Sequence, residues 1–419
     1  MNPLRQKIEH EIRERGPVPF SRYMELCLYD PEFGYYSRNA ERFGKAGDFY
    51  TSSDVHAVFG RLLTRQFDEM WRVLGSPEHI DLVELGPGRG LFAQDVLGWS
   101  KNKFPDFFHA LHYVLIEVSP ALRRRIETTL NNYLETGKAE LVVEGNYVGT
   151  AAPGCPPDGR SPAASPSLAS QPGSQSGNNG ALTRETRAIV FANEFFDALP
   201  VEILSSKGSL RIDTRDGRFI EIWAPPSPEE LGFLDRYSVH PEPEERVEVP
   251  LVAQQYAERI AANLQRGFIL AIDYGYTREE QLAGRHRGTL KAIRQHSIGA
   301  NPYEAPGEQD ITADVNFTAL AAALENCGMQ THKLVTQSQF LMGIGEATQF
   351  ADAFEECRLP QERAKVALQL KHLVTPAGMG ESFQVLIATK GVAREGIESL
   401  SGLSFGRRTL ARSGMNNRT

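Results

Sequence analysis

Apolar residues recur three and four positions apart near residues 3–15, 21–29 and 54–74, a spacing that predicts helices. From about residue 80 the rhythm changes. Short apolar runs at 81–85, 111–119, 187–192, 267–273 and 382–389 predict buried strands, and helical stretches are expected between them at 252–266, 314–327 and 346–372. Residues 209–223 alternate like a hairpin around the turn pair Asp216 and Gly217. Strands alternating with helices predict an α/β chain with a doubly wound, Rossmann-like, mostly parallel sheet covered by helices on both faces. Ligands of such sheets sit over the carboxyl ends of the strands.

The pattern also divides the chain. Residues 1–78 are expected to form a helical N-terminal cap, and 79–204 with 266–390 the core. Residues 205–265 are expected to form an inserted hairpin and helix region, and 391–419 a flexible basic tail with Arg407, Arg408, Arg412 and Arg418. Within the core, 151–186 is rich in Pro, Gly, Ser and Ala and cannot bury enough apolar surface to offset ordering. It reads as a disordered insertion rather than a linker, because strand character resumes directly after it. Residues 225–250, rich in Pro and Glu, read as loop.

Length and charge narrow the classes. A chain of 419 residues suffices for a large core of two or three units. Its net charge of -8 argues against a nucleic-acid-binding body and is compatible with a basic protein partner. No window approaches a membrane span, and the start has neither a signal nor a transit pattern, so a cytoplasmic setting is expected. Cys27, Cys155, Cys327 and Cys357 are scattered without metal-ligand spacing and are expected to be reduced thiols; no metal is expected.

The segment DLVELGPGRGLF at 81–92 carries the first chemistry. A strand, a glycine turn and a helix start form a cradle for an adenosine-containing cofactor. The dinucleotide spacing G-x-G-x-x-G fails because Leu91 stands at the third glycine, and a phosphate loop fails because its Gly-Lys-Ser/Thr ending is missing. What is present is Glu84, Gly86, Gly88 and Gly90 at every second residue, the first motif of S-adenosylmethionine (SAM) methyltransferases. Glycines let the backbone approach the ligand, and an acid suits a cofactor with a cationic sulfonium and amino group. The run at 111–119 ends in Glu117, placed to accept both ribose hydroxyl protons. Ser119 and Pro120 then open a helix as N-cap and first-turn residues.

Two further strand ends are rich in acids. NEFFDALP at 193–200 and DYGY at 273–276 bring Asn193, Glu194 and Asp273 to adjacent strand ends. Paired carboxylates there can orient a guanidinium and take the proton it loses. Phe195 and Phe196 are read as core.

These blocks resemble the MidA-like methyltransferases, the family of the mitochondrial complex I assembly factor that methylates an arginine. The resemblance rests also on GPVPF at 16–20 with YME at 23–25, LYDPEFGYY at 28–36, GDFYTS at 47–52, FG at 59–60, EVSP at 117–120 and PGEQDITA at 306–313. It implies a class I SAM-methyltransferase fold and N-methylation of an arginine to symmetric dimethylarginine on the large quinone-site subunit of complex I. By motif matching it places Glu84, Gly86, Gly88, Gly90 and Glu117 on SAM, with Gly47, Asp48, Thr51 and Ser52 closing over it. Asn193, Glu194, Asp197 and Asp273 are then the expected catalytic acceptor-side residues, with Tyr274, Asp310 and His296 touching the substrate. Two departures stand out: Ser53 replaces the family's proline, and IGANP at 298–302 replaces the Val-Asp-Pro that follows the histidine. Two alternatives remain from the residues alone: a small-molecule O- or N-methyltransferase, and a SAM-binding assembly factor with weak catalysis.

Overall fold

Ile80–Leu85 is buried over its whole length, and its place explains why: it is an inner strand of the main sheet. The computed structural model describes residues 2–38, 57–143, 187–294, 297–299, 301–346 and 348–405; the insertion expected at 151–186 lies outside them. The core strands are β1 (Ile80–Leu85), β2 (Leu111–Ile116), β3 (Ala139–Val142), β4 (Arg187–Asn193), β5 (Arg266–Tyr276) and β6 (Phe383–Lys390). Their order across the sheet is β3-β2-β1-β4-β5-β6, with the short strand Gln330–Thr331 beyond β6. β1 to β5 pair in parallel, and β6 runs antiparallel to β5. Chain order reverses between β1 and β4, so their carboxyl ends flank a natural crevice.

Helices α1 (Pro3–Arg15), α2 (Phe20–Tyr29), α3 (Ala57–Val73), α4 (Leu91–Lys103), α5 (Pro120–Thr129), α6 (Leu251–Asn263) and α7 (Phe317–Asn326) match the predicted helical segments closely. Helix α3 belongs to the core: Phe59, Leu63, Phe67 and Met70 pack with Phe92, Leu82, Phe191 and Phe268 on one sheet face. Ala257, Ile260, Leu320 and Leu324 of α6 and α7 cover the other face with Val83, Val190 and Ile269. Each such buried Val, Leu, Ile, Phe or Met side chain contributes about 1.5–3 kcal/mol.

Helices α1 and α2 pack elsewhere. Leu4, Ile8, Phe20 and Met24 form a separate core with Ile203, Leu210, Ile212 and Ile311. Val18–Pro19 joins a second sheet antiparallel to Gly208–Arg215, whose other neighbours are Glu202–Ser205 and Arg218–Ala224. The start of the chain and the 202–249 region therefore form one module, whereas the sequence suggested a cap of residues 1–78 separate from an insert at 205–265. Asp216 and Gly217 turn the hairpin as expected, both with positive φ.

Three further expectations differ from the structure. Residues 225–250 are not all loop: Pro228–Tyr237 is a helix opened by a capping box of Ser227 and Glu230, and Val247–Val249 is a strand. The helical stretch expected at 346–372 is broken: helix Gln337–Glu346 ends where it was to begin, and Ala351–Phe354 and Pro360–Val374 follow as separate helices. The basic tail begins with order, since Arg394–Ser399 is helical and Leu400 is fully buried, while 406–419 lies outside the described residues. Cys27, Cys327 and Cys357 are free thiols. Among the described residues no helix is long and apolar enough to cross a membrane.

Candidate active site

The crevice between the ends of β1 and β4 opens into a cleft of about 1300 Å³ of empty space, its open mouth included. That is ample for a nucleoside cofactor together with an acceptor side chain. Glu84, Gly86, Gly88, Glu117, Asn193, Glu194, Asp197 and Asp310 all line it, so eight residues singled out in the sequence converge on one space.

The glycine turn is built by left-handed backbone. Gly88 has φ 56°, and a side chain added there would meet nothing within 4 Å and project into open space. Gly90, φ 75°, starts α4 beneath the cleft and does not itself line it. Phe195 packs over Gly86: a Cβ on that glycine would come within 3.0 Å of the Phe195 ring. Phe195 is therefore a half-buried wall of the cleft, correcting its reading as core, whereas Phe196 is core as expected.

Glu84 is buried, and the Tyr113 hydroxyl donates to its Oε2 at 2.8 Å. Burial pushes its pKa up to about 8, opposed by the Tyr113 hydrogen bond and helped by the charge of Glu117. Glu117 rises to about 7, again through burial, although backbone amides of Ser119, Val118 and Gly88 pull it down. The Ser119 amide donates to Glu117 Oε1 at 2.8 Å, and the Ser119 hydroxyl accepts from the Leu122 amide as the N-cap of α5. Two buried acids that hold protons this firmly call for a cationic or hydrogen-donating ligand. A sulfonium, an ammonium group and ribose hydroxyls have that chemistry, so the site fits SAM.

The acceptor side carries its own acids. Glu194 has φ 51°, a costly left-handed backbone for a residue with a side chain, and such strain concentrates at functional sites. Its Oε1 accepts from Asn193 Nδ2 at 3.2 Å. Asp197 is buried, and burial, then Asp273, Glu194 and Asp310, push its proton affinity well above the carboxylate range. Asp310 is buried and accepts from the Tyr36 hydroxyl at 3.3 Å.

Asp273 departs from expectation. It does not line the cleft; its Oδ2 accepts backbone amides of Phe195, Phe196 and Asp197 at 3.2, 2.9 and 3.3 Å, and its Oδ1 that of Tyr274 at 2.9 Å. A carboxylate already occupied by four amides shapes the 193–200 turn rather than meeting an acceptor. Tyr274 is also outside the lining, its ring 3.9 Å from that of Phe383. Gly47, Asp48, Thr51, Ser52 and His296 lie outside the described residues.

The sequence reading passed over the aromatic walls. Tyr29, Tyr36 and Tyr256 line the cleft beside Phe195. Tyr29 donates to the Ala198 carbonyl at 2.9 Å, and the Ser119 hydroxyl donates to the Tyr36 carbonyl at 3.0 Å, so the N-terminal module is tied to both halves of the site. The motif at 28–36 was the available signal.

Comparison with known proteins agrees with this geometry. The sequence model of a family described as "Putative S-adenosyl-L-methionine-dependent methyltransferase" matches residues 62–335. A zebrafish (Danio rerio) protein named protein arginine methyltransferase NDUFAF7, mitochondrial, is 30% identical over 89% of this chain and 84% of its own. The Drosophila melanogaster homologue, of the same description, is 28% identical over 96% and 88%. A Burkholderia thailandensis structure bound to S-adenosyl-homocysteine superposes with a TM-score of 0.73 at 24% identity, covering 96% of this chain and 94% of that one. The fold is thus that of the class I methyltransferases. The cytoplasmic expectation is overturned, because these relatives are named as mitochondrial proteins. An N-terminal pattern read from composition alone was a weak guide to compartment.

Proposed function

The chain belongs to this family of S-adenosyl-L-methionine-dependent methyltransferases, and on that premise we propose that it methylates an arginine side chain of a protein. The reading extends, through the resemblance of its motifs and its relatives' names, to symmetric dimethylation of the large quinone-site subunit of complex I in mitochondria.

One observation carries the proposal: Glu194 and Asp197, from the turn after β4, and Asp310, at the start of the strand Asp310–Thr312, converge in the cleft that also holds Gly86 and Gly88. A guanidinium is a poor nucleophile while protonated and delocalised. Carboxylates orient it through paired hydrogen bonds and localise its lone pair. SAM, when bound, supplies an electrophilic methyl group. The chain's part is then positioning and removal of one proton. Glu84 and Glu117 hold the cofactor's polar groups, Gly88 keeps the approach open, and Tyr29, Tyr36, Phe195 and Tyr256 exclude water. Asp197, whose proton affinity is raised first by burial and then by its acidic neighbours, takes the acceptor's proton when in its carboxylate form. Asp273 keeps the Glu194 to Asp197 turn in shape without touching the acceptor.

The test is incubation of the purified protein with methyl-labelled SAM and a lysate of complex I subunits, followed by mass spectrometry. Label on an arginine of the large quinone-site subunit is the expected result. Label confined to small molecules overturns the protein acceptor and leaves the methyltransferase assignment standing.

A further inference from the structure

At the other end of the sheet, where β1 and β2 begin, His79, Asp81 and His112 meet. Parallel pairing sets Asp81 directly beside His112. His79 Nε2 lies 3.1 Å, and His112 Nδ1 3.0 Å, from the same oxygen, Asp81 Oδ1. The two imidazoles stack with centroids 5.7 Å apart, and one donor atom from each of the three side chains lies within 4.8 Å of the others. On the next strand, Glu140 Oε2 stands 3.8 Å from His112 Nε2. Methyl transfer uses none of these groups.

We infer that His79, Asp81 and His112 form a binding site for a divalent transition metal of the zinc class. Two imidazole nitrogens and one carboxylate oxygen are the donors such ions prefer over magnesium or calcium. Ligand bonds of about 2.1 Å meeting at 90–109° place neighbouring donor atoms about 3.0–3.4 Å apart, the range in which each imidazole nitrogen stands from Asp81 Oδ1. Glu140 supplies the remaining feature of a built site. At 3.8 Å its charge acts across a gap longer than a hydrogen bond; it favours the proton on Nε2 and so leaves Nδ1 of His112 for the ion. Asp81 is buried and rigid while His79 is exposed, so water completes the coordination on the outer side. An ion there joins the segment entering β1 to β2 and Glu140 on β3, and acts as a staple at the sheet's amino-terminal edge.

The experiment is calorimetric titration of the untagged, chelator-treated full chain with Zn²⁺ alone, paired with thermal melts. One ion per chain and a higher Tm with zinc are expected. His79→Ala, a change at an exposed side chain that the fold tolerates, removes the melting shift and weakens binding at least about tenfold; Glu140→Gln weakens it about tenfold. SAM affinity is the same in all forms, which shows that the variants are folded. Absence of zinc binding by the wild-type chain overturns the site. So does binding that His79→Ala and His112→Ala leave unchanged, since the ion then sits elsewhere and the three side chains are only a hydrogen-bonded surface cluster.

Discussion

The Tyr113 hydroxyl reaches from β2 to Glu84 on β1 and donates a 2.8 Å hydrogen bond to a carboxyl buried under the glycine turn. That bond is the main force favouring the charged form of Glu84 against burial. Tyr113→Phe removes it without changing the packing. Hydrogen bonds to charged groups are worth about 1.5–3 kcal/mol, so SAM affinity at neutral pH should fall on the order of tenfold by calorimetry. Affinity equal to wild type would separate Glu84 from the cofactor.

The same acids predict a pH profile. Glu117 and Glu84 hold protons to about 7 and about 8 in the empty protein, against an ordinary 4.5. A cationic cofactor favours their carboxylates, so its affinity should rise as pH climbs through that window and level off above it. Stability runs the opposite way. The folded chain retains protons the unfolded chain has lost, so the empty protein loses stability as pH rises from about 4.5 to about 8. Glu84→Gln should therefore stabilise the empty protein above pH 8, by up to about 4–5 kcal/mol, seen as a higher Tm, while weakening SAM binding. A Tm that falls in that variant would show the carboxylate to be stabilising instead.

Asp273 and Glu194 should separate cleanly. Asp273→Ala leaves three amides of one buried turn without their acceptor, a loss of about 3 kcal/mol or more, seen as a lowered Tm together with slowed turnover. Glu194→Gln keeps the shape and should leave Tm and SAM affinity near wild type while turnover drops by about 10²-fold or more. Equal turnover in that variant would remove Glu194 from the acceptor side.

Gly88→Val places a branched side chain in the open cleft on a left-handed backbone. The strain costs about 1–2 kcal/mol, which a large domain withstands, but the cofactor's space is lost. Calorimetry should show no SAM binding by a chain whose circular dichroism matches wild type. Retained affinity would count against the whole placement of the cofactor.

Much of this was legible in the residues. The acid and alternate glycines, Glu117, the Ser119 cap and the Asp216-Gly217 turn rest on local chemistry, which a short window of sequence contains. Asp273 was misread because a strand-end acid that caps a loop and one that meets a ligand look the same in sequence. Only the three amides of the 193–200 turn tell them apart. Helix Pro228–Tyr237 hid behind its Pro and Glu content, although Ser227 and Glu230 form a capping box that would have marked its start. The tyrosines at 29 and 36 reach the cleft through tertiary packing of a distant module, which no local periodicity reveals.

The order of strands has a consequence for synthesis. β6, made of residues 383–390, lies between β5 and the short strand at 330–331, so it enters a gap between segments that leave the ribosome before it. The cleft likewise waits for Asp310 and Thr312 to join walls begun at Tyr29. A nascent chain carrying only the glycine motif and Glu117 possesses half a pocket and no acceptor acids. A complete cleft thus requires synthesis past Thr312, and products truncated before Asp310 are left without its acceptor-side acid from that strand.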